Sequence, residues 1–237
     1  MKVRNLHPFD LPPADAARLQ TWLSSKVVAK GTTRRKLRVV AGLDCSIGAD
    51  GHVHGAVVAC AAPDWRVIEA ASASAAAPMP YVPGLLSFRE TPILLEALKL
   101  LRVTPDLLLV DGHGVAHPRG LGIAAHIGLH VDVPTVGVGK SLLVGEHGRP
   151  GRKRGDWMPL VLRRRRIGLV LTTRDGTKPV YVSVGHRIAL FPAARRVLET
   201  CTKYRLPEPI RHADRISRRL ARAALAGAGA HGVGPRP

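Results

Sequence analysis

Three apolar, strand-like segments follow one another with almost no chain between them, and this constrains the fold more than any other feature of the sequence. Residues 37–47, 54–60 and 66–72 are apolar and in part β-branched. The first break is a turn at 48–51 carrying the hairpin signal Asp50-Gly51, and the second lies near Pro63-Asp64. Connections this short cannot make the crossover that parallel neighbours need, so an antiparallel meander is expected. Beyond it the order changes. Residues 85–101 have a helical pattern, with Pro92 expected to start a second helical segment or kink the first. An apolar strand at 106–110 runs out at Asp111, and a Gly- and His-rich stretch with a helical segment leads to a strand at 133–138, followed by Lys140. Residues 160–162 and 167–172 read as strands flanking the arginine run 163–166, with a further strand at 180–183. Helices are expected at 187–203 and 209–226, and one at 14–30 whose apolar face takes Ala17, Leu19, Trp22, Leu23 and Val27. A meander followed by helix-separated strands predicts an α/β fold: a mixed central sheet flanked by helices.

The composition permits one such domain. Of 237 residues, 46% are hydrophobic, and no internal repeat or linker divides them, so a single domain over 1–226 with a flexible tail at 227–237 is expected. Lys and Arg number 36 against 17 Asp and Glu, a formal net charge of +19, which favours a polyanionic partner such as nucleic acid. No apolar run reaches the ~18–20 residues of a membrane span. MKVRNLHPFDLPP lacks the apolar stretch of a secretory signal, so a cytoplasmic location is expected; a monomer is expected as well. Cys45, Cys60 and Cys201 are too few and scattered for a disulfide framework. Three each of Phe, Trp and Tyr argue against a base-stacking platform.

With acidic residues this scarce, their positions carry weight. Asp44 lies inside the first apolar strand (AGLDCSI), and Asp111 ends the fourth (LLLVDGHG). A carboxylate there is costly unless paired or bound to a cation. Glu90 lies in a helical segment between them, and Asp214 on the last helix. Neighbouring central strands would set Asp44 beside Asp111, and two helices would bring Glu90 and Asp214 to them. Mg²⁺ suits such a cluster, since it takes oxygen ligands and binds substrate phosphates. The alternative is that the aspartates cap turns or pair with arginines. His113, His117 and His126 are a weaker ligand set, because Mg²⁺ prefers oxygen.

Longer motifs go further. GLDCS at 42–46, PYVPGLLSFRE at 80–90, DGHGVAHPRGLGIAAHIG at 111–128, TVGVGKSLL at 135–143, KPVYVSVGHRI at 178–188 and YRLPEPIRHADRISR at 204–218 resemble the endonuclease V family over nearly the whole chain. The resemblance implies a ribonuclease H-like fold and a Mg²⁺-dependent endonuclease, with Mn²⁺ as a substitute. It implies recognition of deoxyinosine in DNA and cleavage of the second phosphodiester bond on its 3′ side, leaving 3′-hydroxyl and 5′-phosphate ends. An inosine-specific ribonuclease of the same family and a non-catalytic binder of damaged nucleic acid are the rival readings. By motif match Asp44, Glu90 and Asp111 are metal-binding carboxylates, Asp214 falls at a further active-site position not assigned as a direct ligand, and Lys140 matches an active-site lysine, a structural ion pair being its alternative. Pro80-Tyr81-Val82-Pro83 corresponds to the wedge that enters the duplex beside the lesion; a tyrosine folded onto the core is the alternative. Gly84, Leu86, Gly112, His117, Gly122 and Ile123 fall in segments forming the pocket for the flipped base. Two features depart from the family pattern. Ile47 stands where an aromatic residue is usual, which implies altered packing beside Asp44. The run 163–166 matches no motif and is expected to be a solvated basic loop adding phosphate attraction.

Overall fold

The meander forms as its short connections require. In a computed structural model describing residues 1–33 and 36–228, β1 (Val39–Ile47), β2 (His52–Ala61) and β3 (Arg66–Ala76) are antiparallel neighbours, with Asp44 opposite Ala56. The chain then crosses through α2 (Leu86–Leu100) to β4 (Leu107–Asp111), which lies parallel to β1 on its other side. A second crossover through α3 (Ile123–His130) adds β5 (Thr135–Gly139) parallel to β4. The strands β6 (Trp157–Leu162), β7 (Arg165–Leu171) and β8 (Val180–His186) complete an eight-stranded mixed sheet in the order β3-β2-β1-β4-β5-β8-β7-β6. Parallel pairing is confined to β1, β4 and β5, so their C-terminal ends open at one place. The sequence LLLV of β4 is buried on both faces, as a central parallel strand must be.

Helices cover both faces. On one, α4 (Leu190–Thr200) and α5 (Glu208–Ala228) pack on Val40, Leu107, Leu109, Val136 and Val182. On the other, α2 and α3 pack on Ala41, Leu43, Leu108 and Val110. Strand alternation sorts these residues, odd and even positions of β1 and β4 feeding opposite cores. No helix among the described residues is long and apolar enough to cross a membrane.

Several expectations need correction. The first helix, α1 (Pro13–Ser24), stops six residues early and turns a different stripe inward: Ala16, Gln20 and Leu23 are buried, while Trp22 is 58% exposed. Gln20 goes inside because its amide donates to the carbonyls of Gly84 and Leu121. Pro92 falls within a single helix and does not divide it. α4 begins only at Leu190, because Arg187 has φ of 55°, outside the helical region. The arginine run is not a loop: Arg163 and Arg164, at φ of 48° and 63°, make a tight hairpin turn, and Arg165 and Arg166 already belong to β7. Of the expected tail, 227 and 228 continue α5, and 229–237 lie outside the described residues.

Candidate active site

The register of two parallel strands brings the first two carboxylates together. Leu43 of β1 pairs with Val110 of β4, so the next residues, Asp44 and Asp111, are neighbours at the open strand ends. Lys140 follows β5 directly and reaches them from the third parallel strand. The helix α5 crosses β1 closely enough to add a fourth group. A Cβ on Gly42 would lie 2.1 Å from the Pro209 backbone, so only glycine lets the start of α5 sit there. One turn on, Asp214 faces the cluster and Ser217 donates a hydrogen bond to Asp44. Ser46, two residues beyond Asp44 on the same strand face, lies 2.9 Å from the Ser217 hydroxyl.

Asp44, Asp111 and Asp214 each place a carboxylate oxygen within 4.8 Å of the others. Lys140 forms ion pairs with Asp111 and, at 3.0 Å, with Asp214, which Arg218 also contacts at 3.0 Å. Glu90 on α2 falls outside that group of three but is close enough to feel it. Burial, and then the charges of Asp44 and Asp111, push its carboxyl up to about 8. Burial, and then Asp111, raise Asp44 to about 7, against the opposing pull of Ser217 and Lys140. Burial works against the Lys140 ammonium, yet Asp111 and Asp214 more than offset it and raise its pKa. Such a cluster resists full ionisation by itself. A divalent cation with oxygen preference would relieve the repulsion, and the donor set is all carboxylate. The tightest grouping thus takes Asp214 where the sequence reading put Glu90.

A cavity of about 210 Å³ adjoins the carboxylates and shares Asp111 with them; Gly112, the next residue, also lines it. It brings together most of the expected pocket residues: Tyr81, Gly84, Leu86, His117, Gly122 and Ile123 all line it. Gly112 has φ of 137°, and a Cβ there would meet the Ile123 side chain at 2.7 Å. His117 is buried, and desolvation, helped by the Arg119 charge, lowers it to about 4, so the ring is neutral. Tyr81 is not folded onto the core but is 63% exposed, between exposed Pro80 and Pro83, while Val82 packs against the Phe88 cluster. Ile47 ends β1 at 46% exposure, so the partner of Asp44 is Ser217 and not this side chain. A groove of about 480 Å³ along α5 is lined by Arg211, Arg215, Arg218, Arg219 and Arg222, with Asp214 among them.

Other residues here were not anticipated. Ser87, His113, Ser141, Leu142 and Leu143 also line the cavity. The last three belong to the segment that supplied Lys140, and the exposed Leu-Leu pair was an available signal. Arg119 donates to the Gly84 carbonyl at 2.7 Å and to the Gln20 side chain, fastening the base of the Tyr81 loop to the cavity wall. Its place in HPRG was visible, but its partner 35 residues away was not. His126 does not join His113 and His117; it lies with His7 and His130.

Carboxylates gathered at the ends of parallel strands in a mixed sheet, beside an arginine-lined groove, define a nuclease of the ribonuclease H-like class. The endonuclease V family model matches residues 21–215, and the chain belongs to that family of DNA-repair endonucleases. It is 48% identical over 218 residues to endonuclease V of Alkalilimnicola ehrlichii, covering 92% of this chain and 96% of that one. The structure of endonuclease V from Streptomyces avermitilis superposes with a TM-score of 0.88 at 36% identity, covering 95% of this chain and 100% of that one. Endonuclease V of Ciona intestinalis, solved with a 23mer DNA containing an inosine followed by a ribo-adenosine, gives a TM-score of 0.79 at 26% identity over 89% of this chain and 97% of that one.

Proposed function

We propose that this chain recognises deoxyinosine in DNA and hydrolyses the second phosphodiester bond 3′ to it, leaving 3′-hydroxyl and 5′-phosphate ends. The observation that carries this is that Asp111 belongs both to the cavity lining and to the carboxylate cluster. A volume of about 210 Å³ is below the ~300–1,000 Å³ of drug-sized pockets and suits a single base. A base flipped into it leaves the strand beyond it running across the carboxylates. Asp44, Glu90 and Asp111 hold the cation, with Asp214 beside them. One divalent ion there, Mg²⁺ with Mn²⁺ as a substitute, supplies Lewis acidity to the scissile phosphate. Lys140, already between Asp111 and Asp214, offers its ammonium to charge developing on the phosphate. Tyr81, stiffened by Pro80 and Pro83, fills the gap the flipped base leaves. The arginines of α5 take neighbouring phosphates.

The inosine-containing DNA bound by the Ciona relative supports the substrate class, and its ribo-adenosine makes RNA the arm to test. The experiment is nicking of matched DNA and RNA oligonucleotides carrying one inosine, with Mg²⁺ and with EDTA. A Mg²⁺-dependent nick one nucleotide beyond the inosine in DNA is expected. Cleavage of RNA alone would reassign the substrate, and binding without cleavage in Mg²⁺ would remove the nuclease reading.

A further inference from the structure

We propose that His7, His126 and His130 form a second metal site, for Zn²⁺, separate from the carboxylate cluster. His126 and His130 stand one turn apart on α3, both fully buried, and His7 comes from the N-terminal segment laid across that helix. The Arg4 amide donates to the His130 carbonyl at 2.8 Å and holds the segment in place. One ring nitrogen from each histidine lies within 4.8 Å of the other two.

The hydrogen bonds decide where the protons are. His130 Nδ1 lies 2.8 Å from the Arg4 carbonyl, and His7 Nδ1 lies 2.8 Å from the Pro8 carbonyl. A carbonyl only accepts, so both Nδ1 atoms carry the hydrogen, and in neutral rings both Nε2 atoms are bare lone pairs. Burial favours the neutral rings. His126 Nε2 lies 2.9 Å from His7 Nε2 and can give its one hydrogen to that contact. That leaves His130 Nε2 and His126 Nδ1, both buried without a hydrogen-bond partner among the described residues. Three converging imidazoles, two held as acceptors, are short of a cation.

Imidazole nitrogen selects Zn²⁺ over the hard cations suited to the carboxylates. Three histidines and one water make an ordinary tetrahedral zinc site, with Zn–N of ~2.0–2.1 Å. The carbonyls of Arg4 and Pro8 supply the outer hydrogen bonds that fix ligand rings. Each ring would bind as neutral imidazole, its one hydrogen on the nitrogen not offered to the metal, so no net proton is released. Phe9 and Phe88 flank the rings, at 4.7 Å from His7 and 4.8 Å from His126. The ion would therefore staple the N-terminal segment to α3 and, through Phe88, to the turn of α2 that carries Glu90.

The test uses the full chain stripped with chelator, in the wild type and in an Asp44→Asn/Asp111→Asn/Asp214→Asn background that disables the carboxylate cluster. Zinc titration with metal analysis should give one equivalent per chain in the second background, with a Tm rise of about 5 °C at saturating zinc. Cobalt(II) should show the intense visible bands of a four-coordinate nitrogen site. His7→Gln, at a half-exposed ring, and separately His130→Gln should each weaken zinc binding by more than about tenfold. Failure of the carboxylate variant to retain zinc, with no four-coordinate cobalt spectrum in the wild type, would overturn the proposal. Undiminished affinity in both histidine variants would overturn it equally.

Discussion

The carboxylate cluster and the cavity beside it share Asp111, yet they are built by opposite means. The cluster stands on β1, β4 and the first turns of α5, where strand register and the Gly42 contact set the position of Asp44, Asp111 and Asp214. The cavity is walled mostly by loops, the Tyr81 segment, residues 112–122 and those after Lys140, with the first residues of α2 and α3 between them. Its parts are fastened by side chains such as Arg119 and Gln20. On the proposed function, chemistry that must bring several like charges to within a few ångströms falls to regular strands and a helix. On the same proposal, recognition, which must admit a strand and expel a base from its stack, falls to connecting segments.

The comparison can be broken most severely at the strands. Asp44→Ala or Asp111→Ala should reduce single-turnover nicking by on the order of a thousandfold or more, since a cation ligand acting in the transition state is lost. Binding to inosine DNA should largely remain, because Lys and Arg contacts to phosphate are untouched. Full activity in Mg²⁺ would remove the cluster from the chemistry.

Gly42→Ala tests whether helix placement is what assembles the site. The added methyl would meet Pro209 backbone, which cannot yield as a flexible side chain could. A loss of roughly 3 kcal/mol is expected, seen as a Tm lower by roughly 6–10 °C, with nicking reduced beyond any loss of folded protein. An unchanged melting curve would mean that α5 shifts freely on β1.

The cavity has its own pH signature. His117 is lowered from 6.5 to about 4 by burial and by Arg119. Above about 6.5 the ring is neutral in both folded and unfolded chains and contributes no pH dependence. As pH falls below that, the unfolded chain takes the proton and the folded chain does not, so stability declines until about pH 4. The loss attributable to this residue is at most about 3 kcal/mol. Denaturant melts of His117→Gln against wild type across pH 7 to 4 should show a shallower fall in the variant, and parallel curves would refute it.

Tyr81→Ala should cost about tenfold in single-turnover nicking of a duplex inosine substrate, through loss of one stacking partner. A single-stranded substrate, which needs less unstacking, should lose less; equal losses would leave Tyr81 as a packing residue. The smallest effect is expected at the β6–β7 hairpin, far from both regions. Serine at 163–166 should weaken binding to inosine and undamaged DNA alike and shrink the salt slope by up to ~0.9 per lost contact. A loss confined to inosine DNA would bring the hairpin into lesion recognition.

The sequence by itself determined the α/β class, the meander, and the placing of Asp44 beside Asp111 on neighbouring central strands. Short connections forbid crossovers, and a carboxylate in an apolar strand has few affordable states. The Tyr81 loop was legible too, because paired prolines leave an aromatic residue little freedom to retreat. Only the tertiary structure decided which distant segments meet. Gly42 against Pro209, Arg119 against Gly84 and His7 against His126 are contacts across 35 to 167 positions, and nothing local marks them. Apolar periodicity likewise offered Trp22 for burial, yet Gln20 took the inward place because two carbonyls waited for its amide. Periodicity records which residues gain by leaving water; it carries no record of which polar groups will find partners once they do.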